Sequence, residues 1–395
     1  TGDVYAFPEG TIMYPNEPIL TVVAPLIDAQ IVETAILAQV NHQSLVATKT
    51  ARIVKAAEGK AVSDFGARRA HNMDAAVYGA RASYIGGAAG TATVLAGQMF
   101  GIPVSGTMAH SWVMYYKDEY EAFKHYAENY PDNTVLLVDT YDTIKSGIPN
   151  AIRVAREVLE PMGKRLKGIR IDSGDLAYQS IKVRKMLDDA GLTDCKIIVS
   201  NSLDEHTISS LNMQKARIDG YGVGERLITG ASSDYSEDSI SLLGAVYKIA
   251  AVEENGGFAP RIKVSGSVEK ITNPGLKKVY RVYDQNGKAK ADLIAKADET
   301  IDMSQEFRFV DPDMPWRNLK FTHCTVRPLQ EKIFENGRLV YKLPTLNEIR
   351  AYVKKQLDEE IWEEEQRFVN PHKHYMDMTP DYYDMKMSLL NDSRA

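Results

Sequence analysis

The stretch Gly168-Ile169-Arg170-Ile171-Asp172-Ser173-Gly174-Asp175 decides how this chain is read. Its first four residues form a short apolar strand interrupted by one arginine, and its last four form a tight polar turn. Residues 177–190 then carry apolar side chains at helical spacing. A strand, a reactive turn and an amphipathic helix make one βα unit. The unit recurs on both sides. Upstream, the strands are 62–65, 102–107 and 135–138, with helices expected over 74–84, 91–100, 120–129 and 148–159. Downstream, strand 196–200 precedes helix 204–213, and 218–223 closes the series. Strands that are apolar throughout are buried on both faces, which is the habit of a parallel sheet. So many units in succession fit an α/β barrel better than an open sheet, although periodicity alone does not separate the two.

The flanks have a different texture. Up to Pro25, short β-prone runs alternate with Gly and Pro, as in antiparallel strands. A helix is expected from Asp28, as its N-cap, to about residue 57. After Glu254, residues 261–265 and 278–283 alternate with period two, and Asn286-Gly287 signals a hairpin. Residues 346–368 read as one charged helix with a solvated face of Glu359, Glu360, Glu363, Glu364 and Glu365. The tail with His372, His374, Tyr375 and Tyr382 reads as a packing arm. The expected organisation is therefore 1–27 as the start of a β-rich sandwich domain, 28–255 as the barrel, 256–345 as the return to the sandwich, and 346–395 as a helical arm. The chain begins at Thr1 without Met and already reads as a strand at Asp3, so an upstream segment is expected.

Composition removes several classes. Of the 395 residues, 44% are hydrophobic and 25% charged, as in ordinary globular proteins. The net charge is -6 with no basic block, which argues against a nucleic-acid surface. No apolar run reaches membrane-spanning length. Cys195 and Cys324 form no CxxC and have no ligand-spaced His, so neither a zinc site nor a disulfide framework is expected. Two quiet thiols suit a cytoplasmic protein.

Polar residues cluster where the apolar strands end: Phe65-Gly66-Ala67-Arg68-Arg69, Gly106-Thr107-Met108-Ala109-His110-Ser111, Asp139-Thr140-Tyr141-Asp142, Arg170 to Asp175, Ser200-Asn201-Ser202 and Gly222-Val223-Gly224. Parallel α/β folds bind their ligands at that end. Either Arg68 or Arg69 could hold a carboxylate or phosphate as a fork, and a surface ion pair is the plain alternative. Phe65 could cover a flat ligand or pack in the core. His110, with Asp139, Asp172 and Asp175 on later strand ends, suits nucleophilic or acid–base work. Asp139 and Asp172 could hold Mg²⁺ beside substrate phosphates or bind sugar hydroxyls, whereas Asp142 and Asp175 suit helix caps. Arg170 among these acids suits a pyrophosphate clamp. Gly222 and Gly224 could bare backbone amides for a phosphate, with more from Gly244 beyond the polar loop 232–241.

These motifs together resemble the nicotinate phosphoribosyltransferases, from the opening strands to about residue 350. The resemblance implies a type II phosphoribosyltransferase fold, an irregular α/β barrel with a β-rich sandwich domain. It implies that nicotinate and phosphoribosyl pyrophosphate give nicotinate mononucleotide and pyrophosphate, with ATP as co-substrate, Mg²⁺ as cofactor and a phosphohistidine at His110. It places the nicotinate carboxylate near Arg68, Gly66 and Ser111, the ribose and pyrophosphate near Asp139, Arg170, Asp172 and Asn201, and the 5-phosphate near Gly222, Gly224 and Gly244. Phe65 and Asp175 join these groups. It also implies a homodimer with the site at the interface, reached by a neighbour's Thr-Asp-x-Tyr segment that this sequence does not show. The rivals are an enzyme for nicotinamide or quinolinate, against which the Gly-Thr-x-Ala-His-Ser stretch speaks, and a non-catalytic barrel that binds phosphoribosyl ligands.

Overall fold

The computed structural model describes residues 1–231, 243–266, 271–303 and 306–393. The chain divides into two compact units, Gln39–Gly244 and a second made of Thr1–Ala38 with Ala245–Ala395. The expected boundaries at 28 and 255 shift to these positions. The first now falls inside a long helix: its Glu33 pairs with Lys248 at 3.7 Å in one unit, while its Val46, Ile53 and Ala56 are buried in the other.

The chain opens with two antiparallel strands, β1 (Asp3–Ala6) and β2 (Leu20–Val23), paired from Asp3↔Val23 to Ala6↔Leu20. Helices α1 (Leu26–Ile31) and α2 (Glu33–Ala56) follow. Asp28 does not cap a helix. It lies in the first turn of α1, where its carboxylate takes the Thr1 ammonium at 3.0 Å.

The unit Gln39–Gly244 holds six strands: β3 (Ala61–Asp64), β4 (Gly90–Thr91), β5 (Val135–Leu137), β6 (Gly168–Ile171), β7 (Lys196–Val199) and β8 (Gly220–Val223). All pair in parallel in the order β4-β3-β8-β7-β6-β5. Among the described residues β4 and β5 do not pair, so the sheet is an open, partial barrel. Its strands are apolar because both faces are covered: Leu136, Ile169, Ile171, Ile197, Val199 and Val223 are all buried. The helices α3 (Met73–Ile85), α4 (Val94–Phe100), α5 (His110–Tyr115), α6 (Glu119–Asn129), α7 (Ile148–Val154), α8 (Leu176–Asp189), α9 (Glu205–Met213) and α10 (Glu225–Thr229) intervene. Side chains cap several of them: Asn72 accepts from Ala75 N at 2.8 Å, Asp118 from Glu121 N at 3.0 Å and Asp204 from Thr207 N at 2.8 Å. Residues 102–107 are not the expected strand. Pro103 lacks a donor and Gly101 is left-handed (φ 69), so only Val104 bridges to Thr91.

In the second unit, β9 (Ala251–Glu254) and β10 (Gly257–Pro260) form a hairpin, and 261–265 is not the strand expected there. Strands β11 (Lys277–Tyr283) and β12 (Ala289–Lys296) are joined by the anticipated Asn286-Gly287 turn, with Gly287 at φ 77. The remaining strands are β13 (Phe307–Val310), β14 (Asn318–Phe321), β15 (Thr325–Pro328), β16 (Glu331–Glu335), β17 (Arg338–Leu339) and β18 (Met376–Met378). They build sheets β14-β13-β18-β12-β11-β15 and β17-β16-β1-β2. Val282, Leu293, Phe309 and Phe321 form the core of the larger sheet.

The C-terminal region departs furthest from its sequence reading. The expected helix 346–368 is α11 (Leu346–Lys355), with a Thr345–Glu348 capping box, then a π turn (Gln356–Glu360), a break at Ile361 and a 3₁₀ turn (Glu363–Gln366). Two of its glutamates are not solvated. Glu360 accepts from Tyr283 Oη at 2.9 Å and Arg327 Nη2 at 3.0 Å, and Glu365 takes Tyr14 Oη at 2.7 Å. The tail is more than a packing arm, since β18 lies between β12 and β13 before α12 (Pro380–Asp392). His374 stacks on Tyr14 with ring centroids 3.7 Å apart and faces Asp292, which Arg281 grips at 2.8 and 2.7 Å. Arg281, Asp292 and His374 are buried, so the Arg281 and Asp292 charges are held by each other.

Candidate active site

Each parallel strand delivers its next few residues to one end of the sheet, and there the predicted groups meet. Arg170 is the residue of β6 whose side chain turns to the face opposite Ile169 and Ile171. Its guanidinium donates through Nε to Ser200 Oγ at 2.8 Å, through Nη1 to Thr107 Oγ1 at 3.0 Å and through Nη2 to Asp172 Oδ1 at 3.1 Å. Ser200 in turn donates to Asp172 Oδ1 in a short hydrogen bond. One planar fork thus ties the ends of β6 and β7 to the segment that carries Thr107, a geometry lysine does not reproduce.

Asp139, at the end of β5, accepts through Oδ2 from Asp172 N at 2.9 Å and Ser173 Oγ at 2.6 Å. Its Oδ1 is buried without a hydrogen-bond partner among the described residues and lies 3.9 Å from His110 Nε2. Asp172 Oδ2 lies 3.6 Å from the same nitrogen. His110 begins α5, and its Nδ1 lies 3.0 Å from Thr140 Oγ1. The ring keeps 38% of its surface open, enough for a reacting group to approach. His110, Asp139, Arg170 and Asp172 therefore share one cluster.

Phe65 sits under the arginine, its ring centroid 5.1 Å from the Arg170 guanidinium. Its edge atoms Cδ2 and Cε2 fill the space a side chain at Gly222 would need. Gly222 thus makes room for Phe65, whereas Gly224, the N-cap of α10, is half-buried. Gly66 donates its N–H to Asp64 Oδ1 at 2.8 Å. Its missing side chain lets this turn lie against the Gly224 carbonyl and Ile228. Asp64 is fully buried and also accepts from Thr91 Oγ1 at 2.7 Å, and burial pushes its carboxyl above the usual range.

The other predicted residues make none of the hydrogen bonds or ion pairs described for this cluster. Arg68 is exposed, makes no hydrogen bond or ion pair among the described residues, and lines a cavity of about 550 Å³ with Asn72, Met73 and Thr93. Its neighbour Arg69 is occupied by Glu225 at 3.5 Å. Ser111 lines a second cavity, of about 590 Å³, with Thr107, Trp112, Tyr115 and Tyr126. Asp175 caps α8, accepting from Tyr178 N at 3.0 Å, and Asp142 accepts from Ile144 and Lys145 N at 3.0 and 2.8 Å. Asn201 holds φ 102 and Ser202 φ 47, positive values costly for non-glycine residues and typical of working sites. Gly244 is exposed with nothing near its missing side chain, and the loop 232–241 lies outside the described residues. Sequence reasoning gave no role to Asp64, Thr107, Thr140, Ser173 or Ser200. Their signal was position, since each sits at or just beyond the end of a run read as a strand in the sequence.

Residues 60–292 match the model of the Nicotinate phosphoribosyltransferase (NAPRTase) family, and residues 276–386 that of the Nicotinate phosphoribosyltransferase C-terminal domain. The nicotinate phosphoribosyltransferase of Bacillus subtilis (strain 168) is 48% identical over 394 residues, spanning 99% of this chain and 78% of that protein. That of Homo sapiens is 32% identical over 408 residues, spanning 88% and 72%. The crystal structure of human nicotinic acid phosphoribosyltransferase superposes with a TM-score of 0.85 at 29% identity, covering 98% of this chain and 82% of that one. Nicotinate-nucleotide pyrophosphorylase from Pyrococcus furiosus follows with a TM-score of 0.70 at 31% identity, covering 91% and 81%.

An open parallel barrel with its reactive groups at the strand ends, in a chain that also carries a β-rich unit, has the fold of a type II phosphoribosyltransferase. Within that class, the chain belongs to the nicotinate phosphoribosyltransferase family.

Proposed function

We propose that this protein transfers the phosphoribosyl group of phosphoribosyl pyrophosphate to nicotinate, yielding nicotinate mononucleotide and pyrophosphate for NAD biosynthesis. The observation that carries the reading is the convergence of His110, Asp139, Arg170 and Asp172 on one end of the sheet. Departure of pyrophosphate leaves positive charge on the ribose and negative charge on the leaving group. Arg170 answers the second charge and the carboxylates the first. Gly224 and Asn201 suit the phosphoribosyl end. Exposed Arg68 suits the nicotinate carboxylate, which an uncharged nicotinamide would not use.

ATP is the co-substrate, and His110 takes its phosphoryl group: the ring is accessible and stands beside two carboxylates that stabilise a cationic phosphoimidazole. Among the described residues no three His, Cys, Asp or Glu side chains form a metal-holding group. Mg²⁺ needs fewer, since substrate phosphates complete its shell. The unpartnered Oδ1 of Asp139, with Asp172, would hold it, and its chemistry there is to neutralise pyrophosphate.

The working form is a homodimer. Apolar Met73, Leu95 and Tyr115 are exposed beside the two cavities, where a second subunit would cover them. The compartment is the cytoplasm, which suits two free, buried thiols. No helix among the described residues is long and apolar enough to cross a membrane.

The test is pyrophosphate release on mixing the full protein with nicotinate, phosphoribosyl pyrophosphate, Mg²⁺ and ATP. Nicotinate should outcompete nicotinamide and quinolinate. Tight binding of phosphoribosyl pyrophosphate without turnover would instead make the barrel a sensor.

A further inference from the structure

The hydroxyl of Ser200 stands between two opposite charges of the site. Its Oγ accepts from Arg170 Nε at 2.8 Å and donates to Asp172 Oδ1, while Arg170 Nη2 donates to the same Oδ1 at 3.1 Å. The three side chains close a ring of hydrogen bonds. A guanidinium only donates and a carboxylate only accepts, so the one hydroxyl does both. The ring also decides what is left over. Of a guanidinium's five N–H groups, that of Nε goes to Ser200, one on Nη1 goes to Thr107 and one on Nη2 goes to Asp172. Each terminal nitrogen keeps one N–H without a partner among the described residues. Asp172 has two donors on Oδ1, and its Oδ2 is left facing His110.

We propose that Ser200 is a positioning residue for Arg170: its hydroxyl locks Arg170 and Asp172 into one unit, so that the two free N–H groups of the guanidinium meet a pyrophosphate. Its role in turnover rests on reading Arg170 as the group that answers the leaving pyrophosphate. Two observations set this hydroxyl apart from one that only supports the fold. The backbone of Ser200 does not use it, since Ser200 N donates to Ile171 O at 3.0 Å. Its hydrogen bonds go to side chains of the site, whereas the hydroxyl of Ser180 in the same unit serves backbone, donating to Ala177 O at 2.9 Å and accepting from Arg217 N at 3.1 Å. Register places Ser200. Strands β6 and β7 pair in parallel from Gly168↔Lys196 to Ile171↔Val199, so the next residue, Ser200, falls beside Asp172. The chain then turns through Asn201 and Ser202, both at positive φ. With 3% of its surface exposed, Ser200 acts through Arg170 rather than by touching a ligand. Without the hydroxyl, Nε loses its acceptor and the fork is free to swing away from the position that a reacting phosphate needs.

The experiment compares the full chain with Ser200→Ala, Ser200→Thr, Ser200→Val, Arg170→Lys and the double variant Ser200→Ala with Arg170→Lys. Ser200→Thr and Ser200→Val add side chains of the same shape that differ only in the hydroxyl, so the cost of the extra methyl cancels between them. Ser200→Ala should lose about tenfold in kcat/KM for phosphoribosyl pyrophosphate, the scale of one hydrogen bond to a charged group. Its KM for nicotinate should not move, and Ser200→Thr should exceed Ser200→Val by a similar factor. In the double variant the two losses should not multiply. Adding Ser200→Ala to Arg170→Lys should cost less than about twofold, because Arg170→Lys has already broken the ring. Calorimetric titration of the same proteins with pyrophosphate and Mg²⁺ should give the same order of affinities without turnover. Kinetics and affinity unchanged in Ser200→Ala overturn the proposal, as does Ser200→Thr no better than Ser200→Val, or a double variant that loses the product of the two single losses. If Ser200→Ala does not fold, the comparison of Ser200→Thr with Ser200→Val still decides. Failure of the phosphoribosyl-transfer reading shows separately, as absence of pyrophosphate release by the wild-type enzyme, and the calorimetric order then still tests Ser200.

Discussion

The ring of Phe65 occupies the space that a side chain at Gly222 would need. Above the same ring lies the guanidinium of Arg170, so a residue with no side chain on β8 sets the height of a charged group on β6. The first prediction comes from this stack. Gly222→Ala should push Phe65 off its seat, destabilise the protein by about 1–3 kcal/mol, as overpacking does, and lower kcat/KM. Thermal melts beside steady-state assays check it. An alanine variant with unchanged stability and turnover would mean that the ring has another place to go.

Arg170→Lys tests the fork. Lysine keeps the charge and loses the planar reach to Ser200, Thr107 and Asp172 at once. The expected loss is about 100-fold or more in kcat/KM, since a misplaced donor in the transition state costs that much. Circular dichroism should show the fold retained. A loss of less than a few-fold would remove Arg170 from the pyrophosphate end.

Arg68 and His110 should separate by substrate. Arg68→Ala should raise the KM for nicotinate far more than that for phosphoribosyl pyrophosphate, because the exposed guanidinium has no partner among the described residues to miss it. Equal effects would reassign it. His110→Ala should abolish nicotinate-stimulated ATP hydrolysis, and hydrolysis that persists would take His110 out of the ATP step.

Asp377 predicts a pH dependence of stability outside the catalytic cluster. It lies on β18 with both carboxylate oxygens buried and no hydrogen-bond partner among the described residues. Burial, helped by the negative charge of Asp311, pushes its pKa from 3.8 up to about 7. The folded protein therefore holds a proton there that the unfolded chain releases near pH 4. Stability should fall as pH rises through the window between those values, because the native state binds the extra proton. Asp377→Asn keeps the neutral shape. It should match the wild type near pH 4 and exceed it by a few kcal/mol above pH 7. Denaturant melts at both pH values decide, and parallel curves for the two proteins would show that Asp377 does not titrate in this window.

Much of the barrel was legible in the sequence because its signals are local. Apolar strands β5, β6 and β7 and the capped helices α3, α8 and α9 announce themselves within a dozen residues. The same locality explains the misses. Residues 102–107 have a strand's composition, yet Pro103 and the flanking glycines leave a single bridge. Residues 346–368 have a helix's composition, yet Gln356 and Glu360 are drawn inward by partners more than thirty residues away: Gln356 Nε2 donates to Gly10 O and Arg327 Nη2 donates to Glu360.

By itself the sequence determined which residue types stand at the ends of the strands, and so the kind of chemistry: a histidine, two aspartates and an arginine after apolar runs. Chain packing alone decided which atoms meet. It gave His110 carboxylates on one nitrogen and a hydroxyl on the other, seated Phe65 in the hollow at Gly222, and left Arg68 and Ser111 lining separate cavities. The physical reason is range. Periodicity and capping act over a few neighbouring residues, whereas a hydrogen bond or a close contact between strand ends depends on sheet order and register, which no short stretch of chain contains.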